Sequence, residues 1–312
     1  MNKKKVFRLG TCVSDDVCYH FHTMFKEFGY TIVKDLYTRT ISPSFSTMGD
    51  RTGPIASRLH DEMHKIYLKA MEADPKNNTW QTNQTATWHQ YNNIVKLNSV
   101  QELFDDGIEF KNIHKEDIII IDFHAEINAI YDDGLDSFMI YPYWQLHEHH
   151  FPKWLTKIVN DHQNFQEGLL SQDQIARKVE NALVILELLQ QKFNNNVVVI
   201  NNVYTNKLFK GGHQENFQIL KPFVEFDELD REGRVNLPVL NQVYDAFYQA
   251  TKLKFPDWNY ISINNNLCYA DPNHRFGINA AHLHSISWNF FKPQIKSILE
   301  KLNPTSSFIQ VY

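Results

Sequence analysis

Two rhythms of apolar and polar positions run along this chain. Residues 6–9 are a short, mostly apolar run that stops at Gly10, which predicts a strand feeding a tight turn. Ser14, Asp15 and Asp16 follow, with small oxygen-bearing side chains suited to a helix start and carboxylates that favour its positive end. Val17, Phe21, Met24, Phe25 and Phe28 then recur at helical spacing, and Gly29 marks the stop. Residues 30–36 read as a second strand, so the chain opens as β-turn-α-β, the unit of a parallel sheet.

Farther along, residues 56–71 predict a helix, and 74–87, rich in Asn, Thr and Gln, a surface excursion. Ser99 and Glu102 form a capping-box pattern opening a short helix. Residues 117–122, four isoleucines between two aspartates, predict a strand buried on both faces. The aromatic and histidine-rich stretch 138–154 fits neither rhythm. Residues 171–193 are the clearest helix, with Ile175, Val179, Leu183, Leu186 and Leu189 on one face and Ser171 and Gln174 in a second capping-box pattern. Three asparagines, 194–196, break it before a second buried strand at 197–200. A helix over 238–252, a strand over 258–263 and a closing helix over 285–302, which tolerates Pro293, complete the reading. No internal repeat emerges. The expectation is one α/β domain spanning 1–312, a three-layer α/β/α sandwich around a mostly parallel sheet, with irregular insertions around 74–98 and 138–165.

Composition narrows the function. At 312 residues and 43% hydrophobic, the chain is long and apolar enough to build a core. A formal net charge of −5 offers no basic field for nucleic acid. No stretch approaches the roughly 20 apolar residues of a membrane span. No apolar segment of signal-peptide length follows the basic start. Three cysteines, Cys12, Cys18 and Cys268, are too few and too scattered for a disulfide framework, and point to a reducing, cytoplasmic setting. The oligomeric state is not legible.

Two short motifs carry candidate chemistry. Gly10-Thr11-Cys12-Val13-Ser14 lies where the first strand turns into the first helix. A nucleophile at such a turn is exposed, and helix-start amides bind an oxyanion and favour a thiolate. The plainer reading is that Cys12 is a small buried hydrophobe, as free cysteines often are. Ser14 is a second candidate nucleophile, or a helix cap. Asp271-Pro-Asn-His274 follows the last predicted strand. There a histidine serves as general base and a carboxylate fixes its tautomer, although Asp-Pro-Asn is also a strong turn signal by itself.

Together the motifs resemble the first and last blocks of the SGNH, or GDSL-type, hydrolase superfamily. There the first block reads Gly-Asp-Ser-Leu-Ser/Thr and the last Asp-x-x-His. The first block aligns with residues 10–14, with Cys12 at the serine, and the last with Asp271 and His274. Cysteine forms of the block, reading Gly-Ser-Cys or Gly-Asn-Cys, resemble bacterial capsule and surface-polysaccharide proteins, including the GSCFA-type group, and the fuller string of residues 10–16 with His274-Arg-Phe-Gly277 near the end resembles a bacterial family found in polysaccharide loci. The resemblance implies an esterase-like acyl hydrolase, or an acyltransferase with acetyl-CoA as donor, acting on a bacterial surface glycan or its precursor. It implies a catalytic triad of Cys12, His274 and Asp271. It also implies substrate or oxyanion contacts from Gly10, Ser14, Arg39 and Ser42 and, near the strand ending at Asp122, Glu126, although Arg39 and Ser42 read equally well as part of a plain surface loop. The Gly-x-Asn-Asp block of that superfamily is missing here, which leaves open a non-catalytic glycan- or partner-binding protein on the same fold. His282, His284 and the cluster His147-Glu148-His149-His150 invite a metal-dependent reading, but no zinc-ligand motif frames them, so no metal is expected.

Overall fold

The computed structural model describes residues 3–10, 12–33, 113–124, 129–132, 137–140, 172–201, 203–211, 217–219, 223–225, 234–275 and 280–304. Strand β1 (Lys4–Leu9) leads into helices α1 (Cys12–His20) and α2 (His22–Glu27), then β2 (Tyr30–Ile32). Strand β3 (Ile118–Asp122) and a hairpin of β4 (Ala129–Asp132) and β5 (Ser137–Ile140) follow. Helix α3 (Gln172–Phe193) precedes β6 (Val197–Ile200). Two short antiparallel pairs come next: β7 (Lys207–Phe209) with β8 (Phe217–Ile219), and β9 (Phe223–Glu225) with β10 (Arg234–Asn236). Helix α4 (Leu237–Lys254), strand β11 (Asn259–Ile261), a 3-10 turn (Asn265–Leu267) and helix α5 (Ser285–Leu302) complete the described elements.

Five strands form one sheet in the order β11-β6-β3-β1-β2, and every neighbouring pair is parallel. The chain is therefore an α/β protein. β3 is central because its isoleucines can be covered on both sides, and all five of its residues are buried. Its register sets Val6 beside Ile118 and Leu9 beside Ile121 on one edge, and Asp122 beside Ile200 on the other. Helix α1 packs against β1, β3 and α5, while α3 packs against α4 and β6. Apolar residues of sheet and helices merge into one core that includes Phe7, Phe193, Phe247 and Trp288. In sequence order the five strands read 2-1-3-4-5, so the direction of winding reverses between β1 and β3. In open α/β sheets the carboxyl-end crevice at such a reversal is where ligands bind.

The amino edge of the sheet is sealed by a buried acid. Asp117 accepts the backbone N–H of Lys5 at 2.7 Å and of His114 at 2.8 Å, and the Asn196 amide donates to the Asp117 carbonyl at 3.1 Å. Asn194 stops α3 in the left-handed region, at φ 49°. This agrees with the asparagine run as a breaker.

Several expected boundaries shift. The first helix begins at Cys12, two residues before the expected cap, and bends at Phe21 rather than running straight from 17 to 28. Backbone bonds from Phe21 to Val17 (3.1 Å) and from Phe25 to Phe21 (2.9 Å) carry the helical ladder through the bend. The last strand is Asn259–Ile261 rather than 258–263, because Trp258 instead stacks on Phe255 with ring centroids 4.2 Å apart. The second strand is described to Ile32, with the Val33 N–H still reaching the Val6 carbonyl at 2.9 Å. The three antiparallel pairs have no counterpart in the sequence reading, since strands of three or four residues carry too few alternations to register. The expected insertion at 74–98, the helix over 56–71 and the capping box at Ser99 lie outside the described residues, as does 141–165. Among the described residues, no helix is long and apolar enough to cross a membrane.

Pro293 sits on the exposed side of α5, where it removes one backbone hydrogen bond from the helix. Pro293→Ala is expected to stabilise the protein by about 1–3 kcal/mol, read as a higher urea midpoint. A lower midpoint would show that the ring packs usefully where it stands.

Candidate functional site

The crevice between the carboxyl ends of β1 and β3 is organised by Asp122, the last residue of β3 and almost fully buried. Its Oδ2 accepts the Ser14 N–H at 2.9 Å, in the first turn of α1, and its Oδ1 accepts the His124 N–H at 3.0 Å. Gly10 explains how the carboxylate comes so close. Its φ is +155°, and a Cβ built there would lie 2.2 Å from Asp122 Oδ2. The glycine of the Gly-x-Cys turn is thus demanded by contact with a strand that lies over a hundred residues away in sequence.

Cys12 is the first residue of α1, half-buried and packed against the core. Asp16 stands one helical turn on, a spacing that puts both side chains on one face of the helix. Asp16 is fully buried, and the ring of His274 meets it there. His274 Nε2 lies 3.1 Å from both carboxylate oxygens, with hydrogen-bond direction toward Oδ1. Arg275 Nη2 adds contacts at 3.0 Å to Asp16 Oδ1 and 2.6 Å to Asp15 Oδ2, and Arg8 pairs with Asp15 from β1. The C-terminal histidine loop is thereby clamped onto α1 by alternating charges.

Local backbone bonds aim that loop. Ala270 bridges β7 on one side and Leu283 on the other. Asp271 N–H donates to the His282 carbonyl at 2.9 Å, and His284 N–H to the Tyr269 carbonyl at 2.8 Å. Closing the loop at its base brings His274 and His282 face to face, with ring centroids 4.3 Å apart. His284, the neighbour of this pair in sequence, turns away. Its ring stacks on Phe209, and its Nδ1 accepts the Ile286 N–H at 3.2 Å to cap α5.

A buried aromatic group backs the crevice. Tyr204 and Tyr244 stack at 5.5 Å, and His124 leans on both. The Tyr244 hydroxyl donates to the His124 carbonyl at 3.1 Å. Burial pushes the His124 imidazole down to about 3, helped by His282 and opposed by Asp16. Burial, then Tyr204, Asp122 and Cys12, push the Tyr244 phenol well up, so Tyr244 shares the neighbourhood of both Cys12 and Asp122. His20 is lowered by burial, with Asp16 opposing and Arg275 and His274 assisting. All three cysteines are free, and burial pushes the Cys18 and Cys268 thiols up to about 12. Of the three, Cys12 is the one that is half-buried rather than buried.

The sequence expected Asp271 to face a ring nitrogen of His274. The carboxylate that the structure places on that ring is Asp16's. Asp271 Oδ1 instead accepts the Asn273 N–H at 2.8 Å, the two-residue contact of an Asx turn, so the turn chemistry of Asp-Pro-Asn takes up this side chain. Ser14 is buried inside the first turn rather than capping it, and the capping carboxylate arrives from Asp122. Arg39, Ser42, Glu126 and the 147–150 histidine cluster lie outside the described residues. Asp16, Asp122, His124 and Tyr244 were missed as site residues. For Asp16 a signal existed, its four-residue spacing from Cys12. Among the described residues, no group of three His, Cys, Asp or Glu side chains converges as a metal cage.

No family model, curated protein or solved structure matches this chain.

Two outcomes are expected. Gly10→Ala should cost about 2 kcal/mol or more by overpacking, and much less in an Asp122→Ala background, as a double-mutant cycle on unfolding free energies would read. Equal costs in both backgrounds would remove the steric account. The second outcome concerns pH. His124 has an ordinary value of 6.5 when unfolded and about 3 when folded, so the unfolded chain binds its proton first. Its stabilising contribution is intact above pH 6.5 and is lost as pH falls toward 3, with a slope of up to about 1.4 kcal/mol per pH unit. The lowered His20 and His284 act in the same direction. His124→Gln should flatten urea stability between pH 6.5 and 5, a window above the carboxylate range, and an unchanged slope would refute the assignment.

Proposed function

We propose that this chain is an acyl hydrolase or acyltransferase of bacterial surface-polysaccharide metabolism, cytoplasmic, on a three-layer SGNH-like fold. The observation that supports this reading is the contact between the helix that Cys12 opens and the loop that carries His274. Cys12 opens α1 at the crevice where the strand order reverses, and His274 is held on Asp16, one turn along the same helix.

In this reading Cys12 Sγ attacks an acyl carbonyl while its proton passes to His274. Because Asp16 occupies the Nε2 side of the ring, Nδ1 is the nitrogen that would take the proton. The Cys12 N–H steadies the oxyanion, since the Ser14 N–H is engaged by Asp122. Collapse of the tetrahedral species returns the proton to the leaving alcohol, or to the thiol of coenzyme A if acetyl-CoA is the donor, and leaves a thioester on Cys12. Water or a sugar hydroxyl then attacks the thioester, with His274 taking the incoming proton, and the cysteine is regenerated. Asp16 takes the orienting role that the family resemblance assigns to Asp271. Arg39, Ser42 and Glu126 remain proposed substrate contacts.

One observation favours the rival reading, a glycan- or partner-binding protein that retains the fold. The His274 side chain is only 5% exposed, and the Asp16 carboxylate is shared with Arg275. A carboxylate already neutralised by a guanidinium does less to stabilise an imidazolium.

Acyl trapping separates the two. After incubation with acetyl-CoA or p-nitrophenyl acetate, mass spectrometry of the Cys12 peptide should show an acyl adduct that Cys12→Ala lacks. Asp16→Asn should lower turnover about 100-fold or more, the scale of general acid–base catalysis, whereas Asp271→Asn should cost less. No adduct, with equal rates for wild type and Cys12→Ala, would sink the catalytic reading and leave the binding one.

A further inference from the structure

We infer that His282 is a positioning residue for His274. Its imidazole is the flat wall that fixes the plane in which the His274 ring meets Asp16, and so fixes where the second nitrogen of that ring points. The inference rests on the proposed function for what His274 does there, and on the ring geometry alone for how His274 is held.

A hydrogen bond at one nitrogen does not set the plane of an imidazole. The last side-chain torsion of histidine is broad, so the ring tilts with little resistance while the bond survives. Nor is the acceptor a single point, because His274 Nε2 lies 3.1 Å from both Asp16 oxygens. Arg275 Nη2 also reaches Oδ1, at 3.0 Å, so the carboxylate is divided between a ring and a guanidinium. A face-to-face contact takes up the remaining freedom, since tilting one ring drives its edge into the other. The His274 and His282 rings make that contact, with centroids 4.3 Å apart and planes 24° from parallel.

A wall must itself be fixed. His282 is 5% exposed, and its chain neighbours Ala281 and Leu283 are buried with it. Its carbonyl accepts the Asp271 N–H at 2.9 Å, and Leu283 bridges Ala270 at the same base. On the other arm of the loop, the Asp271 carbonyl accepts the His274 N–H at 3.3 Å, and Asp271 Oδ1 accepts the Asn273 N–H. The two imidazoles therefore stand on opposite arms of one zipped turn, and the backbone bond from Asp271 to His282 sets them facing. Asp271 thus helps to place both rings through its backbone, while its carboxylate shapes the turn that carries His274. The part of His282 is to hold the base, not to move a proton.

Nuclear magnetic resonance of protein carrying isotope-labelled histidine tests this. The two residues are assigned by the signals lost in His274→Gln and in His282→Leu. Wild type should show Overhauser contacts between the carbon-bound ring protons of the two imidazoles. His274 should also appear as one tautomer, with its proton on the nitrogen that faces Asp16. Leucine is close to histidine in volume but is not planar, whereas phenylalanine is planar. His282→Leu should therefore move the His274 nitrogen shifts toward the tautomer mixture of a free imidazole, and His282→Phe should hold them near wild type. With p-nitrophenyl acetate, His282→Leu should lower kcat about 10-fold or more, the scale of a misplaced catalytic group, with KM nearly unchanged. His282→Phe should recover most of that loss.

Missing ring-to-ring contacts in wild type overturn the inference without any variant. So does a His282→Leu protein, folded by circular dichroism, that keeps the wild-type His274 shifts or the wild-type kcat. A folded His282→Phe that behaves like His282→Leu overturns it as well. The spectroscopic measurements need no turnover. A chain that shows the ring contacts and the leucine effect on His274, but forms no acyl adduct, loses the proposed activity and keeps this inference.

Discussion

Burying a carboxylate at the carboxyl edge of a parallel sheet is costly unless donors meet it, and meeting the donors of Asp122 shapes everything around the crevice. The donors are backbone N–H groups from two places, the first turn of α1 and the residue after β3. To reach both, the carboxylate must pass where the side chain of residue 10 would be, so that residue is glycine. Three features that look independent in sequence, the Gly-x-Cys turn, the early start of α1 and the acid closing the isoleucine strand, are one contact in space.

A second constraint joins the ends of the chain. Asp16 is fully buried on α1 and needs cationic or hydrogen-bonding partners. His274 and Arg275 supply them from the loop between β11 and α5, and Arg8 extends the charge alternation into β1 through Asp15. The loop reaches that position because its base is zipped by the bonds around Ala270 and Leu283, which also stack His282 on His274. Removing one partner of such a buried set strands the rest, so the network is tied to the integrity of the crevice as much as to any chemistry there.

The same arithmetic of burial sorts the titratable groups. His124 is enclosed by Tyr204, Tyr244 and the sheet edge and is held neutral, while Cys18 and Cys268 are held as thiols. Cys12, at the mouth of the turn, is the cysteine left half-exposed. Around the crevice, burial thus holds His124 neutral, while the carboxylates of Asp15, Asp16 and Asp122 are met by guanidinium, imidazole and backbone donors.

The sequence alone was enough for the periodic part of this protein. The isoleucine run of β3, the valines of β6, the amphipathic α3 and the full extent of α5 were legible, because local spacing encodes which face is buried. It also singled out Cys12 at a strand-to-helix turn and His274 in a polar loop. What only tertiary structure decided is which carboxylate stands beside which partner. Asp271 is three residues from His274, yet its side chain is spent on a local turn. Asp16, 258 positions away, takes the ring. Asp122 finds Ser14 across 108 positions. Such pairings depend on strand order and on how a loop is zipped at its base. Neither leaves a period in the sequence, because the energy of a buried ion pair is set by distance and desolvation in space rather than by separation along the chain.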